Sequence, residues 1–123
     1  MTRQRRLGAR GETRALAWLQ ERGWQLLERN WRGTSGELDL IALDGEVLVA
    51  VEVKLRRGDA FGAAEETVSP AQAERLLRTV SEYLFTHPEH CDRLWRVDLI
   101  ALTLDERGRV ARLTHLPNAI VSC

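Results

Sequence analysis

The sequence predicts a single α/β domain, in which a mixed β-sheet of about five strands is flanked by helices in the order helix, three strands, helix, two strands. Three observations support this prediction. Apolar residues recur at helical spacing in two stretches, and five other stretches are short, apolar and bounded by turn residues. The 123 residues, 44% hydrophobic and 29% charged, suffice for one folded domain over residues 1–123 without a disulfide or a structural metal.

The two helices carry start and stop signals. The first is expected over residues 7–22, because apolar side chains recur every three or four positions and Gly23 follows as a C-terminal stop. The second begins after Ser69, a good N-cap residue, with Pro70 at its first helical position, and it ends near residue 86.

The strands are predicted from short apolar runs between turn residues. Two of them form a hairpin, because Asp44-Gly45 tolerates the positive φ angles of a tight two-residue turn. In chain order the strands are expected over residues 24–31, 36–43, 46–54, 94–104 and 110–116, with a turn at 106–108. Residues 1–7 are expected to form a basic tail, and residues 55–68, with two Gly and no clear period, a mobile loop.

The hairpin gathers charged residues on one face. With Asp44-Gly45 as the loop, Asp39 is expected opposite Ala50 and Glu37 opposite Glu52. Because side chains alternate with period two, Glu37, Asp39, Glu52 and Lys54 share one face. The other face is expected to carry the apolar residues Leu38, Leu40, Val47, Val49, Val51 and Val53.

Crowding of three carboxylates on a patch two residues wide is unfavourable unless something relieves it. A raised pKa, the Lys54 ammonium or a divalent cation with hard oxygen ligands would do so. The alternative is a polar face that is merely solvated. The position of the single lysine favours a functional site over a solvated face. Of the 18 basic residues, 17 are Arg and the remaining one is Lys54, a compact charge whose pKa can shift.

These residues carry a family resemblance. Asp39, followed after twelve residues by Glu52-Val53-Lys54, resembles the PD-(D/E)XK signature of the restriction-endonuclease-like nucleases. The chain is also similar, through five blocks in order, to the YraN-like family of small bacterial proteins, which is related to archaeal Holliday junction resolvases. The matching blocks are residues 11–12, 30–32, 36–41, 51–54 and 96–100.

The resemblance implies a restriction-endonuclease-like fold and a metal-dependent endonuclease acting on DNA. Asp39, Glu52 and the Val53 carbonyl would hold Mg²⁺ or Mn²⁺, and Lys54 would orient the attacking water. Glu12, on the first helix, is either a charge near a helix N-terminus or a further site residue, and the resemblance favours the second.

Three further residues have weaker parts in this prediction. Glu37 is an accessory residue or a surface charge. Gln72 is a possible hydrogen-bond donor to phosphate where family members often carry lysine. Asp98, in the last matching block, is expected to be structural rather than catalytic.

Charge distribution suggests where nucleic acid would lie. The net charge of zero argues against binding by bulk electrostatics. Up to residue 35, however, eight Arg face three Glu, which would suit a phosphate-facing surface or, alternatively, a solvated tail. Arg32, Arg56 and Arg57 are expected to contact phosphates near the site.

Other classes of function stay open at this point. A nucleic-acid-binding module that does not cut, or a protein-interaction domain with a coincidental motif, would fit the same fold.

Cys91 and the nearby histidines lack zinc-site spacing, so no zinc site is predicted there. No run of 18 apolar residues predicts a membrane span, so a cytoplasmic location is expected. Cutting both arms of a four-way junction would call for a symmetric homodimer.

Overall fold

A computed structural model describes residues 3–57 and 68–120, with side chains from residue 9 onward. The predicted element order is confirmed: one helix, three strands, a second helix and two strands. The elements are α1 (Arg3–Glu21), β1 (Gln25–Arg32), β2 (Glu37–Asp44), β3 (Val47–Arg57), α2 (Pro70–Thr86), β4 (Trp95–Leu104) and β5 (Val110–Ile120), with a short 3₁₀ turn at Pro88–His90.

The five strands form one mixed sheet in sequential order, β1-β2-β3-β4-β5. Only the β3–β4 pairing is parallel among these neighbours, and α2 lies within the crossover that joins them. One face packs on α2 through a cluster that includes Ile41, Ala50 and Val80. The other face packs on α1 through a cluster that includes Leu19 and Val51. The sheet is thus covered on both sides, as expected for this class.

Three predicted boundaries were wrong by three or more residues, and one of them is the end of β5, which lies at Ile120 rather than at residue 116. The helix α1 begins at Arg3, so residues 3–7 are helical and not a tail, because good helix formers there extend the hydrogen-bonded turn. Strand β3 extends to Arg57, since it pairs with β4 as far as Arg57 opposite Leu104. The rest of the predicted mobile loop, residues 58–67, lies outside the described residues.

The predicted capping signals are present. Gly23 follows α1 with a φ of +85°, a conformation that glycine adopts without steric cost. At the start of α2, the Ser69 hydroxyl accepts a hydrogen bond from the Gln72 amide at 3.1 Å. Pro70 occupies the first position of the helix.

The hairpin register differs from the prediction by two residues. Asp44 is the last residue of β2 and pairs with Val47, so the loop is Gly45-Glu46. A salt bridge from Arg96 on β4 to the Asp44 carboxylate, 3.1 Å long, helps to hold Asp44 in the strand. Continued past the last pair, this register sets Asp39 opposite Glu52 rather than Ala50. A shift of two residues leaves the face of each side chain unchanged.

One predicted face assignment was wrong. Leu38 packs in the α2 cluster, whereas Leu40 packs in the α1 cluster. The alternation of β2 is therefore interrupted at Asp39. The observed pairing between β2 and β3 also reaches only as far as Leu40 opposite Val51, while β3 continues beside β4. The fork between β2 and β3 begins at this point, and the acidic residues lie in it.

Candidate active site at the fork of the sheet

Asp39 anchors the fork between β2 and β3. Its Oδ2 accepts a hydrogen bond from the Val53 backbone amide at 2.9 Å. A side-chain oxygen of β2 thus bonds the β3 backbone just past the last backbone pair of the hairpin. This bond fixes the Asp39 carboxylate beside Glu52, the neighbour of Val53.

Asp39 and Glu52 form a half-buried acidic pair. Burial is the main cause that raises the pKa of both, and the negative charge of Asp39 adds to the effect on Glu52, whose pKa rises to about 8. A hydrogen bond between the two side chains lowers the pKa of Asp39 and raises that of Glu52. Glu52 is therefore the carboxyl group of the pair that binds a proton more readily, and Asp39 is the acceptor of the hydrogen bond between them.

Lys54 lies next to this pair. Its Nζ is 3.7 Å from Glu52 Oε1, and its side chain is only 21% exposed. The positive charge opposes the rise in the pKa of both carboxyl groups without cancelling it. The predicted Asp39, Glu52 and Lys54 cluster is therefore brought together in the structure.

Glu12 reaches the same site from α1. Burial raises its pKa, and the charge of Asp39 is the next cause, which places the two carboxylates within electrostatic range. Asn30 hydrogen-bonds the Glu12 side chain, and Arg29 lies 3.7 Å from it. Asn30 itself has a φ of +54°. This irregularity in β1 lies opposite the interruption of β2 at Asp39.

A cavity of about 250 Å³ opens from the acidic pair towards α2. Glu37 and Gln72, both predicted as accessory residues, line it. Arg75 and Thr79 line it too, and the sequence analysis missed them. The signal for both was present, because positions 72, 75 and 79 share one face of a helix. An arginine beside an acidic cavity is suited to binding a phosphate.

The other predicted arginines lie outside this cavity. Arg32 is bound to Glu37 at 3.1 Å, and 80% of its side chain is exposed. Arg56 and Arg57 follow Lys54 on β3, opposite Thr103 and Leu104. At about 3.3 Å per residue, Arg57 is roughly 10 Å further along the strand than Lys54. These side chains would meet nucleic acid only beyond the cavity.

Asp98 lies in the sheet next to the site but belongs to a separate network. It is fully buried and accepts hydrogen bonds from Arg96 at 2.9 Å, from His115 at 2.8 Å and from the Asn118 amide at 2.8 Å. Burial alone would raise the pKa of Asp98, but these donors outweigh it and lower the pKa. The network ties β4 to β5.

The donor set suits one kind of cation. Within the described part of the chain, no group of three or more His, Cys, Asp or Glu side chains is arranged to hold a metal ion. Mg²⁺ does not need such a group, because it keeps several waters and uses one or two carboxylates plus substrate phosphates. The adjacent, half-buried carboxyl groups of Asp39 and Glu52 provide hard oxygen donors, and their raised pKa values show that positive charge is in short supply there. The predicted third ligand, the Val53 carbonyl, belongs to the residue whose amide bonds Asp39.

No helix among the described residues is long and apolar enough to cross a membrane.

The family model and the similar proteins that match this chain carry the same family name. The model of "Uncharacterised protein family UPF0102" matches residues 11–102. A UPF0102 protein of Beutenbergia cavernae is 44% identical over 110 residues, covering 89% of this chain and 92% of the relative. One of Roseiflexus castenholzii is 36% identical over 118 residues, covering 96% and 95%, and one of Kineococcus radiotolerans is 44% identical over 102 residues, covering 83% and 84%.

Proposed function

Since this chain belongs to the uncharacterised protein family UPF0102, we propose its function from the geometry of the site: it binds nucleic acid and is a Mg²⁺-dependent endonuclease that hydrolyses phosphodiester bonds in DNA. Mn²⁺ would serve in place of Mg²⁺. The observation that carries the proposal is the half-buried Asp39–Glu52 pair beside Lys54, at an open fork of the sheet. The same three residues form the PD-(D/E)XK pattern, so the proposal includes membership of the restriction-endonuclease-like nucleases.

The acidic residues have distinct parts in this proposal. Asp39 and Glu52, once Glu52 releases its proton, would hold the cation together with the Val53 carbonyl. Bound Mg²⁺ supplies positive charge at the scissile phosphate and makes a coordinated water more acidic. Glu12 and Glu37, which lie within electrostatic range of Asp39, position water around the pair.

The basic and polar residues bind the substrate. Lys54 orients the attacking water and donates hydrogen bonds to the phosphoryl oxygen on which charge develops. Arg75 holds a neighbouring phosphate from the α2 side of the cavity, and Gln72 donates a hydrogen bond there. Because Lys54 is mostly buried, its ammonium is held close to the reacting atoms rather than moving freely in solvent.

Cleavage of labelled nucleic acids tests the proposal. The panel contains a four-way junction, a flap, a linear duplex, single-stranded DNA and RNA, each with Mg²⁺, with Mn²⁺ or with a chelator. Wild-type protein is compared with Asp39→Asn and Lys54→Ala, and with Glu46→Gln as a matched control, because the Glu46 side chain is 99% exposed at the hairpin turn. We expect metal-dependent cutting that both site variants lose and the control keeps.

Two outcomes would contradict the catalytic proposal. Salt-sensitive binding without cutting, unaffected by either site substitution, would indicate a non-catalytic nucleic-acid-binding module. Absence of both binding and cutting would leave a protein-interaction domain. Cutting of the four-way junction at two symmetric positions would require a homodimer with twofold symmetry, which analytical ultracentrifugation would detect.

A further inference from the structure

A second concave surface lies beside the candidate active site. It is a groove of about 840 Å³ between the β1–β2 loop, residues 33–36, and the C-terminal half of α2. Its lining combines aromatic and basic side chains with a single carboxylate. The residues that matter here are Trp31, Arg32, Ser35, Arg78, Glu82 and Phe85.

The walls of this groove are fixed in place. Glu82 on α2 accepts hydrogen bonds from the Thr34 amide at 2.7 Å, the Thr34 hydroxyl at 2.7 Å and the Ser35 amide at 2.8 Å. The loop also approaches α2 closely, since a Cβ at Gly33 would come within 2.8 Å of Glu82 Oε1. Pre-formed walls are typical of binding sites, because little order has to be gained on binding.

An exposed aromatic ring lies in the groove. Phe85 is 89% exposed, which is unusual for a large apolar side chain, and only Leu94 is comparable among the described residues. Two arginines flank the groove, Arg32 with 80% and Arg78 with 63% of the side chain exposed. Aromatic rings on which bases stack, combined with arginines, are the usual basis of single-stranded nucleic-acid binding.

The groove is next to the candidate active site. The loop that forms one wall of the groove continues into Gly36 and Glu37, which line the cavity beside Asp39 and Glu52. Helix α2 contributes to both surfaces. Arg75 in the cavity and Arg78 in the groove are one helical turn apart. Arg32 is ion-paired with Glu37, at 3.1 Å, across the boundary. A strand bound in the cavity therefore has a short path to the groove.

We propose that this groove binds an unpaired nucleobase of the strand that is cut, stacked on Phe85 next to Arg32 and Arg78. The inference rests on the proposed nuclease function and narrows its substrate to nucleic acid with unpaired nucleotides near the cut. A base inside a continuous duplex has both faces covered by its neighbours and cannot stack on a side chain. The Glu82 carboxylate within the lining favours a neutral base over a phosphate. Arg32 and Arg78 pair with Glu37 at 3.1 Å and with Glu74 at 3.0 Å, and on binding they would exchange these carboxylates for the flanking phosphates.

Binding measured without cleavage tests the proposal. Fluorescence anisotropy in a chelating buffer gives the affinity for a single-stranded oligonucleotide and for a blunt duplex, and a 2-aminopurine base in the single strand reports stacking. Phe85→Ala is expected to weaken single-strand binding by about 5- to 150-fold, the range of one lost base–aromatic contact. Phe85→Ala should also abolish the quenching of 2-aminopurine and leave the affinity for the duplex within about twofold of wild type. Phe85→Trp should keep both the single-strand affinity and the quenching.

Leu94→Ala is the matched control, because it removes the other large exposed apolar side chain and should change neither measurement. Equal affinities of Phe85→Ala and wild type for the single strand, with cutting still lost in Asp39→Asn, would overturn this inference and leave the proposed function standing. A dimer that Phe85→Ala dissociates, with unchanged nucleic-acid affinity, would reassign the groove to a second copy of the chain. If the wild-type protein neither binds nor cuts nucleic acid, both proposals fail.

Discussion

Replacing Glu52 by glutamine should stabilise the metal-free protein, and the gain should grow as the pH rises. In the unfolded chain Glu52 loses its proton near its ordinary pKa of 4.5, whereas in the fold it keeps the proton up to a pKa of about 8. Between these values folding takes up a proton, so the folded state of the wild type loses stability as the pH rises through this interval. Glutamine has no proton to lose and avoids this penalty.

The size of the effect follows from the same interval. A difference of about 3.5 pH units corresponds to an upper limit of about 5 kcal/mol, and relaxation or water entry around the pair should reduce it to about 2–4 kcal/mol. For a chain of this length that corresponds to a gain of roughly 6–20 °C in the melting temperature. The titration belongs to the pair with Asp39, so the transition should be broader than that of a single group.

Urea unfolding followed by tryptophan fluorescence, in chelating buffer at pH 5, 6.5 and 8, measures the difference directly. Glu52→Gln should match the wild type most closely at pH 5 and exceed it most at pH 8, with equal denaturant slopes. Glu46→Gln is the control for loss of an exposed carboxylate. A difference between Glu52→Gln and wild type that is the same at pH 5 and pH 8 would refute the raised pKa of Glu52.

Three further predictions concern the cation, the β4–β5 network and the groove. At pH 8, Mg²⁺ at 100 times its dissociation constant should stabilise the wild type by about 2.7 kcal/mol; an equal melting-temperature shift in Glu52→Gln would contradict binding at the pair. Asp98→Asn should cost about 3–5 kcal/mol in urea unfolding near neutral pH. Because the pKa of Asp98 is lowered from 3.8, this loss should shrink as the pH falls below that value; a loss independent of pH would count against it. Glu82→Gln should speed amide hydrogen exchange at Thr34 and Ser35, and unchanged exchange there would show that other contacts hold the loop.

The sequence determined the features that depend on neighbours in the chain. Helical spacing and the Ser69-Pro70 cap predicted α2, and turn residues and apolar runs predicted five strands in the correct order. The cluster of Asp39, Glu52 and Lys54 was also predicted, although the hairpin register was two residues off and the alternation of β2 is interrupted at Asp39. Along β3, where the alternation is regular, a register shift of two leaves Glu52 and Lys54 on the same face. These patterns involve residues close together in the chain, so they can be recognised in a single sequence.

Only the tertiary structure decided how the site is assembled. Arg96 supports the register by binding Asp44 from another strand, and the bond from the Val53 amide to Asp39 holds the fork. Arg75 joins the site because α2 packs over β2, whose first residues line the cavity together with Glu52 of β3. Contacts between distant parts of the chain depend on packing and on the loss of water around charges, which residue spacing does not encode. The raised pKa of Glu52, the feature most relevant to chemistry, exists only after that burial.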